Sequence, residues 1–303
     1  AELALRVAEL TPGPKHWSWR LQGYAWAHVS NARRVCNDLP AAEEAMQRAK
    51  KLWEAGAPGD LEFLNEAWLP GLEAALRREQ RRFPEALRKV DEALASSPGA
   101  IRAQVLVAKS GILEALGDPQ GSTAVLQEAA FLIREPRLAF GVRFNLLVDL
   151  CRLGRADEAE SELPEIRRMA ERLGEELDLV RVVWLEGSVA AGLRRTAEAH
   201  AAFQQARREF HIRGLPYDYA LVSLEMALLQ LEQGRTAEVR GLTEEMLWIF
   251  RAQGIHREAL AALQIFNDAA RKEIATVELV QRVAAYLHRA QHDPELRFEE
   301  SGY

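Results

Sequence analysis

Apolar residues return at every third or fourth position along nearly the whole chain, the spacing that lines one face of a helix. Phe140, Phe144, Leu147 and Cys151 form one such stripe, and Leu163, Ile166 and Met169 form the next. Between them stands "LGRADEAE", residues 153–160, which returns as "LRRTAEAH" at 193–200 and as "QGRTAEVR" at 233–240. A catalytic loop needs to occur once; a phrase repeated every forty residues marks architecture. The flanking stripes make each phrase a turn between two antiparallel helices. Gly154 and Gly234 permit positive φ at its tip, and the acidic residue that follows suits the first turn of the next helix. Arg194 stands at the tip of the middle copy, so that turn must accept a side chain.

A second register sharpens the period. A helix folded back into its own hairpin needs small and larger residues three and four places apart. Six triplets stand in this register, four of them following small, large, Ala: Ala42, Met46, Ala49; Ala86, Val90, Ala93; Ser122, Leu126, Ala129; Ala159, Leu163, Ile166; Ala199, Phe203, Ala206; and Val239, Thr243, Met246. Their first members are 44, 36, 37, 40 and 40 residues apart, and Leu279 opens a degenerate seventh copy 40 residues later. The expectation is an all-α chain, an α-α superhelix of about seven helical hairpins filling residues 14–292 with a period near 40. Residues 1–13 read as the end of a preceding helix and residues 293–303 as a C-terminal tail that caps the last hairpin. The breaker "TPGP" at 11–14 separates the first of these from the repeats.

This spacing of Ala, a larger side chain and Ala on second helices, with Trp26 and Ser30 on a first helix, resembles the tetratricopeptide repeat, although the period here is longer. The stretch running from "FNLLVDLCRLGRADEAE" through "VVWLEGSVAAGLRRTAEA" to "REALAAL" also resembles the C-terminal repeat region of bacterial helix-turn-helix transcriptional regulators. The resemblance implies a TPR-like solenoid whose function lies on surfaces rather than in a catalytic centre. Some repeats of this kind clamp a terminal carboxylate with Lys and Asn on successive first helices. Asn145, Leu185 and Glu225 at one level, and Val148, Ser188 and Leu228 at another, do not match that pattern.

Composition agrees with helix. Ala, Leu, Glu, Arg and Gln dominate, while Gly and Pro together make up only 31 of 303 residues. A formal charge of −6 with interspersed arginines leaves no continuous basic face, so direct nucleic-acid binding by this segment is not expected. The longest apolar run, "YALVSLEMALLQLEQ", contains Glu225 and Glu232 and is too short to cross a bilayer. Two cysteines, Cys36 and Cys151, sit among apolar helical residues and read as small buried hydrophobes, which fits a cytoplasmic setting.

Chemistry-bearing motifs are missing. There is no phosphate-cradling glycine loop, no Cys-x-x-Cys and no His-Glu-x-x-His, so no catalytic residues, no metal and no cofactor are assigned. His288 and His292 share a helical face with Glu295 nearby, but histidines near a helix C-terminus more often serve its dipole than a metal.

What remains is the wall of first helices, where repeat folds hold their partners. Its unusual polar and aromatic residues are Arg143 and Asn145, then Asp178, Arg181, Trp184 and Glu186, then Tyr217, Asp218, Tyr219, Ser223 and Glu225. Core packing is the commoner use of aromatics such as Trp184 and Tyr219 at helical spacing; contact with a ligand is the alternative. The expected partner is another protein or peptide in a concave groove, and a mixed acidic and aromatic groove suits a basic or amphipathic segment. Three roles fit: the partner-binding half of a bacterial regulator, a scaffold or assembly adaptor, or a regulatory subunit of a separate enzyme such as a protease.

Overall fold

The computed structural model describes residues 15–36, 38–56, 66–253, 255, 257–291 and 296–298. Fourteen helices and no strand occur among them. In chain order these are α1 (Lys15–Val35), α2 (Leu39–Ala55), α3 (Trp68–Glu79), α4 (Phe83–Ser96), α5 (Gly99–Ala115), α6 (Pro119–Leu132), α7 (Pro136–Arg152), α8 (Ala156–Leu173), α9 (Glu176–Gly192), α10 (Thr196–Ile212), α11 (Pro216–Glu232), α12 (Thr236–Ala252), α13 (Arg257–Arg271) and α14 (Val277–Ala290). Among the described residues no helix is long and apolar enough to cross a membrane. The expected helix over residues 1–13 lies outside the described residues.

The repeated phrase is a turn of fixed geometry. Gly154, Arg194 and Gly234 have φ of 71°, 61° and 69°, all left-handed. Behind each, the next backbone N–H reaches five residues back: Arg155 to Leu150, Arg195 to Ala190 and Arg235 to Gln230, at 2.8 to 2.9 Å. This closure satisfies carbonyls that the helix end leaves open. Arg194 adopts the same backbone as the two glycines, so the geometry belongs to the repeat rather than to the residue.

The triplets face inward as expected. Of the eighteen side chains only Leu163 is not buried, being half-exposed beside Pro164 in α8. Phe203 is fully buried and rests on Gly187, where an added Cβ would come within 2.6 Å of the ring. In the seventh copy Leu279, Val283 and Tyr286 are buried too.

The chain divides into two compact units, Ala1–Leu146 and Leu147–Tyr303, with the boundary inside α7. In the first unit α1 packs on α2, α3 on α4 and α5 on α6, and the core is a succession of local clusters. One is built on Met46 and Trp53, one on Val90 and Ile112, and one on Leu106 and Leu126. Ion pairs link these layers. Arg77 on α3 is 3% exposed and pairs with Glu43 of α2 and with its own neighbour Glu73, which is also 3% exposed. Lys50 and Lys89 close on Glu73 at 3.0 and 3.3 Å.

In the second unit one apolar cluster runs from Val180 to Leu296, and Leu147, Ile166, Val182 and Leu185 are buried outside it. The helices pair as α9 with α10, α11 with α12 and α13 with α14, and α14 also packs on α11. Seven consecutive residues of α11, Asp218 to Leu224, are buried, so this helix is enclosed on every side. Part of the tail is described: Leu296 is buried, its carbonyl accepts a bond from the Tyr286 hydroxyl at 3.0 Å, and Phe298 meets the Tyr286 ring edge-on.

Candidate functional site

The first helices of the second unit carry the polar residues singled out in the sequence, and the structure separates them into three groups. Asp178 and Asp218 are third residues of α9 and α11, where a carboxylate faces the positive end of its own helix. Both are buried. Arg181 lies 3.7 Å from Asp178, and the Gln291 amide lies 3.5 Å from Asp218. These two aspartates finish helices rather than line an open groove.

Tyr219 and Ser223 are also buried, contrary to the groove expectation. The Ser223 hydroxyl donates to the Tyr219 carbonyl at 2.7 Å, a bond back along its own helix. The Tyr219 hydroxyl accepts from Arg207 at 2.9 Å, and burial raises its pKa to about 12. Enclosure of α11 by its neighbours and by α14 explains both corrections. Arg207 lies over the Tyr219 ring and pairs with Glu245. Tyr217 is half-buried edge-on to Phe250, and burial raises it to about 12.

Trp184 and Glu225 form the third group, and here two helices converge. The Trp184 indole N–H donates to one Glu225 oxygen at 2.9 Å, and the Ser188 hydroxyl donates to the other at 2.7 Å. All three residues keep partial exposure. Phe210 braces the indole edge-on with centroids 5.8 Å apart. Burial pushes the Glu225 carboxyl above its ordinary range; the two donors and Arg152, further off, oppose that rise without cancelling it. Ser188 was missed as a site residue, although its place one helical turn beyond Trp184 puts both on one face.

Arg181 and Glu186 stay half-exposed on α9, with Glu186 held by Arg167 of α8 through bonds of 2.6 to 2.9 Å. Arg143, half-buried, and Asn145, exposed, belong to the first unit. Glu225 acts on the Cys151 thiol, which burial first and this carboxylate second push up to about 12. Such a thiol holds its proton at neutral pH and is a poor nucleophile. Cys36, expected to be buried, is exposed at the end of α1 instead. No group of three His, Cys, Asp or Glu side chains able to hold a metal occurs among the described residues. His288 is exposed on α14, and His292 lies outside the described residues.

No protein-family model matches the chain, and no curated protein matches it. Solved structures do. One is the Rap protein complexed with competence and sporulation factor, with a TM-score of 0.64 at 11% identity, covering 96% of this chain and 80% of that one. Another is BtubC (BKLC) from P. vanneervenii, with a TM-score of 0.46 at 16% identity, covering 76% of this chain and 97% of that one. The likeness to Rap is one of fold, that of a chain of helical hairpins.

Proposed function

We propose that this chain is a non-enzymatic regulatory module that binds a protein or peptide along the first helices of its second unit. Our finer reading is that it is the partner-binding part of a bacterial transcription regulator working in the cytoplasm. The observation that carries the proposal is the Trp184, Ser188 and Glu225 constellation, an aromatic and a carboxylate fixed across α9 and α11 and still reachable from solvent. Fixed aromatic and charged groups of this kind anchor partners at interfaces, because little side-chain freedom is lost on binding. The fold supports the same reading, since the Rap chain that it resembles was crystallised with a separate factor. A protonated Cys151 gives no footing for nucleophilic chemistry.

The test is capture of the native partner by the full-length protein, followed by affinity measurements on variants. Trp184→Ala and Arg181→Ala should each be compared with the exposed control Arg208→Ala. At least one of the first two is expected to lose about 2 kcal/mol, roughly thirtyfold in affinity, and the control almost nothing. Unchanged affinity in both, with normal circular dichroism, would remove the α9 wall from consideration.

A further inference from the structure

Several carboxylates that join helices of the second unit are matched by guanidinium groups. Glu186 takes Arg167, Glu232 takes Arg194, Glu244 takes Arg271 and Glu245 takes Arg207. Glu225, which also joins two helices, is held differently. Its two oxygens are held by neutral donors on α9, and no cation among the described residues stands within ion-pair distance of it. Arg152 of α7 is near enough to act on its charge, yet its guanidinium lies instead 3.7 Å from Asp149.

Such an arrangement differs from an ordinary interhelical clasp in one respect. A clasp between α9 and α11 is served as well by a neutral amide, whereas a carboxylate without a counter-charge leaves attraction for a cation unused. Each Glu225 oxygen accepts one bond from the protein, and a carboxylate oxygen has room for a second. The two donors also fix the direction in which those remaining lone pairs point. Trp184, Ser188 and Glu225 each keep part of their surface exposed beside these oxygens.

We propose that Glu225 is the seat for a single cationic side chain, the ammonium or guanidinium of a partner's Lys or Arg, which supplies the counter-charge that the chain itself withholds. This rests on the partner-binding reading and narrows it to a basic peptide segment. Arg152 then has a definite role: its charge at the rim repels an incoming cation and sets the affinity below its maximum.

The probes are N-acetyl-arginine amide, N-acetyl-lysine amide, the uncharged N-acetyl-norleucine amide, and putrescine as a free diamine. Each is titrated into the full chain while the Trp184 indole N–H resonance, identified by its loss in Trp184→Phe, is followed by NMR. The arginine or lysine amide should shift that resonance saturably, and the norleucine amide should bind at least about tenfold more weakly. Glu225→Gln keeps an acceptor for the indole but removes the charge, and should abolish the shift. Arg152→Gln should tighten binding by about threefold, the size of one screened repulsion across several ångströms. Opposite responses of the two variants are what a purely structural clasp does not produce. A shift that survives Glu225→Gln, or an Arg152→Gln variant no tighter than the parent, overturns the seat. Putrescine binding more tightly than both amides overturns the peptide side chain as its occupant. If Trp184→Ala weakens the native partner and Glu225→Gln does not, the wall stands and the seat falls; if neither does, both fall.

Discussion

The two units solve the same packing problem with different means. The first has a core broken into local clusters, and its layers are joined by charge: Glu43, Glu73, Arg77, Lys50 and Lys89 meet across α2, α3 and α4. The second has an apolar cluster that extends across α9 to α14, and at its polar constellation a carboxylate is held by an indole and a hydroxyl. The pKa directions record the contrast. Glu43 is lowered to about 2, chiefly by its bond from Arg77. Burial alone would raise Glu73, but Lys50, Lys89 and Arg77 outweigh it and leave the net shift downward. For Glu225 burial wins and the shift is upward. A repeat fold can therefore fix its layers with matched charge in one region and keep an unmatched charge for other use elsewhere.

The sharpest way to break this comparison is to remove the cohesive element of each unit. Phe203→Ala opens a cavity in the buried core and should cost roughly 3–5 kcal/mol in urea unfolding, whereas half-exposed Leu163→Ala should cost less. Arg77→Met strands Glu43, leaves Glu73 to Lys50 and Lys89, and should cost roughly 3 kcal/mol, a loss confined by hydrogen exchange to α2–α4. A cost below about 1 kcal/mol for Arg77→Met would mean that the ion pairs ornament the first unit rather than hold it.

Acid should then act on the two units with opposite sign. Glu43 is depressed, so its stabilisation is complete above its ordinary pKa of 4.5 and is lost as pH falls toward about 2. That loss amounts to about 2 kcal/mol and vanishes in Glu43→Gln. Glu225 is raised, so its contribution is most favourable below its ordinary pKa of 4.5 and declines as pH climbs to the folded value. Glu225→Gln should therefore be the more stable protein at neutral pH, with its advantage fading as the solution is acidified. Chemical unfolding of both variants against the parent across pH 3–7 checks both signs.

The smallest effect concerns the turns. Arg194 holds the left-handed backbone that glycine holds in the neighbouring copies, and its exposed pair with Glu232 contributes little. Arg194→Gly should stabilise the chain by about 0.5–1 kcal/mol in the same unfolding assay. A loss instead would show that the Glu232 pair outweighs the backbone strain.

Much of this architecture is legible one residue at a time. The hairpin period, the inward triplets and the left-handed turns are local properties, because a helix stripe and a turn tip depend on neighbours within a few positions. For the same reason the sequence singled out Trp184 and Glu225 as residues out of keeping with a plain helix. It could not tell them from Asp178, Asp218, Tyr219 and Ser223, which proved to be buried. That distinction depends on what covers each face, and the helix that lies on α11 besides its hairpin partner, α14, comes some sixty residues later in the chain. Ion pairing likewise escapes local reading: Arg207 and Glu245 are 38 positions apart, and so are Arg194 and Glu232. By itself the sequence determined that helices form, where they turn and which stripe each buries, since these follow from spacing and backbone sterics. Only the tertiary structure decided which polar residues are enclosed, which are paired and that the Glu225 carboxylate is held by neutral donors, because solvent exclusion and charge separation are set by side chains brought together from distant helices.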